Sequence, residues 1–202
     1  MRAAPLLTPL LILAASPLQA YPDAPDAAEY RAWLRMDGQR ARVMEFQRFL
    51  ARFGVHKVLP TRQLLRTATD WRKCGTPFET PPPALWPRIV PTLRFIRDEV
   101  RPRVGPVEAV SSYRNPRLNR CAGGAPKSAH VGFWGVDLVP SGSMSQQQLF
   151  DRLCALHRQK GRMARFGLGF YGGLRFHVDT KSYRLWGSNH RSGTSPCSRA
   201  AA

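Results

Sequence analysis

The spacing of apolar positions changes along the chain. From Ala27 to Arg52, Trp33, Met36, Val43, Phe46, Phe49 and Leu50 recur near helical spacing with arginines between them, and Gly54 stops the run. Thr61–Trp71 predicts a second, short helix with Leu64, Leu65 and Trp71 inward. Gly75–Pro83 is a proline-rich connector. Pro87–Val100 then predicts a helix with Pro87 at its first position and Ile89, Val90, Leu93 and Ile96 on its apolar face. Pro91 fits that helix only in its first turn or at a kink.

Beyond residue 105 the period shortens. Val107–Ser111 and Val136–Val139 read as short strands. Between them, Asn115-Pro116 has the form of a helix N-cap followed by proline at the first helical position. Ser145 and Gln148 form a capping-box pattern ahead of a helix over Gln146–Lys160, striped by Leu149, Leu153 and Leu156 and ended by Gly161. Phe166–Tyr171 and Leu174–Thr180 flank Gly172-Gly173, the signature of a tight hairpin, and Tyr183–Trp186 adds a further strand.

Residues 1–20 do not belong to this pattern. One early positive charge, an apolar stretch without acidic residues, and Leu18-Gln19-Ala20 at its end make a secretory signal peptide. The stretch is broken by Pro9 and Pro17 and is short for a bilayer span, so no stable membrane anchor is expected. Export changes the meaning of the four cysteines, an even number without any CxxC spacing. They predict disulfides rather than a metal site. The favoured pairing joins Cys74 to Cys121, which flank the segment leading to the candidate site, and Cys154 to Cys197, which ties the C-terminal tail to a helix. The formal net charge of +18 points to anionic partners. In an exported chain these are envelope surfaces and peptidoglycan carboxylates rather than nucleic acid.

Chemistry concentrates in three stretches, Ser111–Asn119, Ser128–Pro140 and Gly167–Thr180. A catalytic zinc takes three nitrogen or oxygen donors and keeps one open position. His130 and Asp137 lie seven apart, which on an unbroken strand puts them on opposite faces. They converge only if the chain bends, and Gly132 and Gly135 make a bend easy. His177, on the predicted hairpin, supplies a third donor from across a sheet. Taken alone, each residue also reads as a structural histidine or a turn-capping aspartate.

Together these stretches resemble the zinc D-Ala-D-Ala carboxypeptidase and murein endopeptidase family, whose fold is shared by the hedgehog signalling domain. That family shows SGYR and a nearby proline, then SxHxxGxAxD, then a glycine-rich strand ending in tyrosine, an HVD strand and a tryptophan. Here they stand as Ser111–Arg114, Ser128–Asp137, Gly167–Tyr171, His177–Asp179 and Trp186, in the same order. The resemblance implies an α+β fold with a small antiparallel sheet and flanking helices, here preceded by a helical N-terminal extension. It divides the chain into a signal peptide (1–20), the extension (21–75), a zinc peptidase-like domain (76–187) and a flexible C-terminal tail (188–202).

The resemblance also implies zinc-dependent hydrolysis of amide bonds in peptidoglycan stem peptides or cross-links, in the periplasm. It makes His130, Asp137 and His177 the zinc ligands. Arg114 matches the arginine that contacts the substrate carbonyl or carboxylate, and a fixed guanidinium suits a developing oxyanion. Four positions depart from the pattern. Ser112 replaces a glycine. Phe133 and Gly135 stand where glycine and alanine are usual, with Gly132 one place early. Leu174 occupies the position, three before the last histidine, where many members carry an acidic base. Asp179, two residues from His177 and on the same strand face, is then either the base or a residue that orients the histidine ring. Glu108 is a second base candidate. Ser128 and Tyr171 are supports, and His56, His157 and His190 read as structural or surface residues. With Leu174 at the base position, the alternative to an enzyme is a zinc-containing peptidoglycan-binding module that does not cut.

Overall fold

The computed structural model describes Tyr21 and residues 24–199; the stretch read as a signal peptide lies outside the described residues. The chain opens with α1 (Ala27–Leu34), whose N-cap Asp26 accepts from the backbone of Ala28 and Glu29 while Glu29 reaches back to Asp26. The expected single run to Arg52 is broken. Gly38 takes φ +70° and starts α2 (Gln39–Arg52), which buries Val43, Phe46 and Leu50. The apolar spacing persists through this turn, which is why the pattern alone reads as continuous.

The Thr61–Trp71 helix is also split. Only α3 (Thr61–Leu64) is helical before Arg66 bridges to Phe78, and α4 (Trp71–Cys74) follows separately. Leu64 and Leu65 are buried as expected, whereas Trp71 is half-buried. A 3-10 turn over Pro83–Arg88 leads into α5 (Ile89–Phe95), a π-helical turn over Ile96–Val100, and α6 (Arg101–Val104). Pro91 sits in the first turn of α5, where its missing N–H has no helical partner to lose.

The second half follows the sequence reading closely. It comprises β1 (Val107–Ser111), α7 (Pro116–Cys121), β2 (Gly135–Pro140), α8 (Gln146–Lys160), β3 (Gly167–Phe170), β4 (Phe176–Asp179) and β5 (Arg184–Trp186). Asn115 caps α7 through Leu118 N–H, and the Ser145–Gln148 capping box opens α8. The strands form one sheet in the order β1-β2-β4-β3-β5. Four pair antiparallel, and β5 joins β3 in parallel, so the sheet is mixed rather than wholly antiparallel.

One apolar core takes side chains from both halves, among them Trp33, Phe46 and Leu50 from the first two helices, Ile89 and Leu93 from α5, Leu149 and Leu153 from α8, and Leu168, Phe176 and Val178 from the sheet. After Ser188, a 3-10 turn over Ser192–Thr194 and the short α9 (Pro196–Arg199) follow. Both expected disulfides are present. Cys74–Cys121 joins α4 to α7, and Cys154–Cys197 joins α8 to α9. Persistent disulfides mark an oxidising compartment. Among the described residues, no helix is long and apolar enough to cross a membrane.

Candidate metal centre

The centre of the sheet brings two of the candidate residues together by register alone. Asp137 on β2 lies directly opposite His177 on β4, so their side chains rise side by side from one face. His130 arrives from the turn before β2. The glycines do not make this bend. Phe133 does, at φ +57°, with Phe133 N–H donating to His130 O and Trp134 N–H to Ala129 O. A left-handed backbone is strained for a bulky residue. The Phe133 ring is fully buried against Phe46 and Tyr113, and that packing offsets the strain. Gly135 has a different use: a β-carbon there would overlap the His177 ring.

The residues His130, Asp137 and His177 are 1%, 4% and 2% exposed. His130 Nε2 lies 3.1 Å from Asp137 Oδ1, His177 Nδ1 lies 2.9 Å from the same oxygen, and the two nitrogens are 3.0 Å apart. The other nitrogen of each ring is already engaged. His130 Nδ1 donates to Ser112 O at 2.6 Å, and His177 Nε2 donates to Asp179 Oδ2 at 2.8 Å. Those partners set the tautomers, leaving two bare ring nitrogens and a carboxylate oxygen facing one point. Three acceptors converging in a buried place call for a cation. Donors bound tetrahedrally to zinc at ~2.0–2.1 Å stand roughly 3.3 Å apart, within a few tenths of the separations here. The donor set therefore fits a metal ion.

Burial and the Arg114 guanidinium push His130 down to about 4, so its ring is neutral at neutral pH. Burial opposes ionisation of Asp137, but His130 and His177 outweigh it and hold the carboxyl well below the usual carboxylate range. Burial likewise disfavours a charged His177, yet Asp137 and Asp179 on either side raise it. Negative charge concentrated around that ring favours a positive ion beside it. Tyr171 donates its hydroxyl to Asp137 Oδ1 at 3.3 Å, and burial keeps that phenol protonated far into the alkaline range.

The donors line a cleft of about 590 Å³, shared with Arg114, Ser128, Tyr171, Arg175, Trp186 and His190. Arg114 lies in the link between β1 and α7. It is 8% exposed, and among the described residues its Nε has no hydrogen-bond partner. No acidic side chain pairs with it among the described residues. Ser128 Oγ accepts from His130 N–H, and the Trp186 ring packs on that of His177.

The two base candidates are placed elsewhere. Asp179 lies behind His177, fully buried, where its oxygens accept from His177, Arg184 and the Lys181 N–H. Gly167 leaves the room it needs, since a β-carbon there would overlap the carboxylate. Glu108 forms a buried ion pair with Arg66 at 2.6 Å and lies outside the cleft. Regular strand alternation would put Glu108 on the same face as Arg114, but the register shifts between Ala109 and Ser111. His190, read as a structural or surface residue, is exposed but stands on the cleft wall. Its place depends on a loop and a disulfide, so no local signal in the sequence marks it.

A family model described as Peptidase M15 matches residues 59–179, more than half of the chain. A search of curated proteins and a search of solved structures return no match. The matched span holds all three converging donors and Arg114, and the chain belongs to the peptidase M15 family, the zinc D-Ala-D-Ala carboxypeptidase-like metallopeptidases.

Proposed function

We propose that this chain is an exported zinc peptidase that hydrolyses amide bonds in the stem peptides or cross-links of peptidoglycan, and that it works in the periplasm. The convergence of His130, Asp137 and His177 beside a buried Arg114 that pairs with no acidic side chain among the described residues carries this reading. In it, those three residues hold the ion. Zinc bound there supplies Lewis acidity toward an amide carbonyl and makes water a better nucleophile at neutral pH.

The chain's own groups do the rest. Arg114 presents a fixed cation to the substrate carboxylate, or to the oxygen that gains charge as the amide is attacked. Asp179 holds the His177 ring in one tautomer and orientation, which makes it a positioning residue rather than a base. Tyr171 steadies Asp137, and Ser128 steadies the backbone at His130.

The cleft wall adds Lys127 and Arg175, and an adjoining hollow carries Arg72 and Lys73. Such a rim suits peptides that carry several carboxylates, as peptidoglycan stems do. The signal-like residues 1–20 and the two disulfides support export.

Leu174 favours one rival, a module that binds peptidoglycan without cutting it. Leu174 is half-buried against the core and brings no acid to the base position. Mass spectrometry of muropeptides before and after incubation with the zinc-loaded protein separates the two. The peptidase reading expects new fragments that differ by one water and one cleaved amide. Retention on peptidoglycan with no new fragment supports the rival.

A further inference from the structure

Amide hydrolysis needs a group that moves a proton, and the motif positions do not supply one. Leu174 is apolar, Asp179 is enclosed behind His177, and Glu108 is bound to Arg66. With the three metal donors and the permanent cations set aside, the titratable side chains on the cleft wall are Asp70, Tyr171 and His190. Tyr171 is kept protonated by burial and already donates to Asp137. Asp70 stands exposed at the mouth, ahead of α4, and its carboxylate makes no hydrogen bond among the described residues. His190 faces the Tyr171 ring edge-on, with centroids 6.1 Å apart, and the Tyr171 hydroxyl touches a metal-site oxygen. Its ring is thus linked to the metal donors through Tyr171.

The loop that carries His190 is built to hold it. His190 N–H donates to Gly187 O, and Gly187 N–H donates to Arg191 O. Asn189 accepts from Thr194 Oγ1 and from Arg191 N–H. Ser195 is fully buried, and Cys197 is bonded to Cys154 on α8. His190 itself is held at φ +62°, a conformation few residue types other than glycine adopt readily. The loop lies beyond Asp179, where the family match ends, so the family pattern does not bring His190 with it.

We propose that His190 is the proton-transfer residue of this chain, taking the place of the acid missing at Leu174. This rests on the peptidase reading. A water attacks the amide carbonyl carbon, and one of its protons passes to the free ring nitrogen of His190. The C–N bond breaks with its electron pair staying on nitrogen, and the imidazolium returns the proton to that nitrogen. One water is consumed, an acid and an amine are released, and nothing is oxidised or reduced. An imidazole suits such work near neutral pH.

The test uses the full mature protein loaded with zinc, as wild type, His190→Ala, His190→Gln and Asp70→Asn. Each is assayed for muropeptide cleavage and for zinc content. Both His190 variants are expected to lose about 100-fold in kcat, with KM and zinc content unchanged. Added imidazole should restore part of the activity of His190→Ala, where the ring's space is open, and less of that of His190→Gln. A His190→Ala enzyme within about threefold of wild type overturns the assignment, as does a loss of about 100-fold confined to Asp70→Asn. Loss of zinc along with activity in the His190 variants also overturns it, because the residue would then be supporting the metal site. If the wild type cleaves and His190→Ala cleaves equally, only this inference fails. If the wild type cleaves nothing, the peptidase reading fails and this inference with it.

Discussion

Arg66 and Glu108 form one buried polar cluster beside β1; His130, Asp137 and His177 form another where β2 meets β4. The first is closed. Arg66 donates to Glu108, to Ala109 O and to Pro25 O, and Glu108 also accepts from Tyr21 N–H. Charge is balanced and donors meet acceptors. In the second, each ring turns one N–H outward, to Ser112 or to Asp179, and with both rings neutral the two ring nitrogens and the Asp137 oxygen that face inward have one donor among them, the Tyr171 hydroxyl. All five residues are buried, so burial alone does not distinguish the two clusters. What distinguishes them is the match of donors to acceptors: a matched cluster serves the fold, and a surplus of acceptors marks a place for a cation.

The sharpest way to break this contrast is to remove a donor from the open cluster. His130→Ala and His177→Ala should each lose most of the bound zinc, and muropeptide cleavage should fall by about a thousandfold or more, since such an ion supplies several kcal/mol of transition-state stabilisation. Elemental analysis of the purified variants checks the first part. Full zinc occupancy in both would end the ligand assignment. Arg66→Ala acts on the closed cluster and should leave the zinc stoichiometry of the folded protein unchanged. It strands Glu108 in the interior, and urea unfolding should show a loss of about 3–5 kcal/mol. Replacing both partners, Arg66→Met with Glu108→Leu, should recover most of that loss; no recovery would mean that the pair does more than balance its own charge.

Arg114 tests the border of the open cluster. Arg114→Ala should keep zinc and lose a factor of about 10²–10³ in turnover, on the order of 3 kcal/mol. Undiminished hydrolysis would remove Arg114 from the chemistry. The smallest effect is expected behind the metal site. Asp179→Asn should weaken zinc binding by roughly 10–100-fold in a competitive chelator titration, because the ring it holds is then free to turn. Unaltered zinc affinity would put Asp179, with its Arg184 and Lys181 contacts, in the same class as Arg66 and Glu108.

The parts of this molecule that could be read from sequence are those whose causes are local. Asn115-Pro116 and the Ser145–Gln148 box fix the starts of α7 and α8 within four residues, and the structure has both where the pattern puts them. His177 is readable as a donor from across a sheet, on a hairpin strand, but its place directly opposite Asp137 comes from the pairing of β2 with β4, which no local pattern sets. The parts that escaped depend on distant partners. The segment after Leu65 leaves the helical path at Arg66, whose carboxylate partner is 42 residues away. The bend at His130 is made by Phe133, an apolar residue that propensity would not place at positive φ and that only a tertiary contact can hold there. His190 reaches the cleft through a loop closed by its own hydrogen bonds and fastened at Cys197.

Phe133 has a consequence for trimming the protein. The family match begins at residue 59, which invites a shortened version starting there. The Phe133 ring, however, rests on Phe46 of α2, which also packs against Trp86. Cutting before residue 59 would uncover Phe133 at the turn that delivers His130. Deleting a buried phenylalanine side chain such as that of Phe46 costs about 3–5 kcal/mol. The first helices thus act as a clamp on the metal-site turn, and a minimal catalytic unit must start upstream of α2.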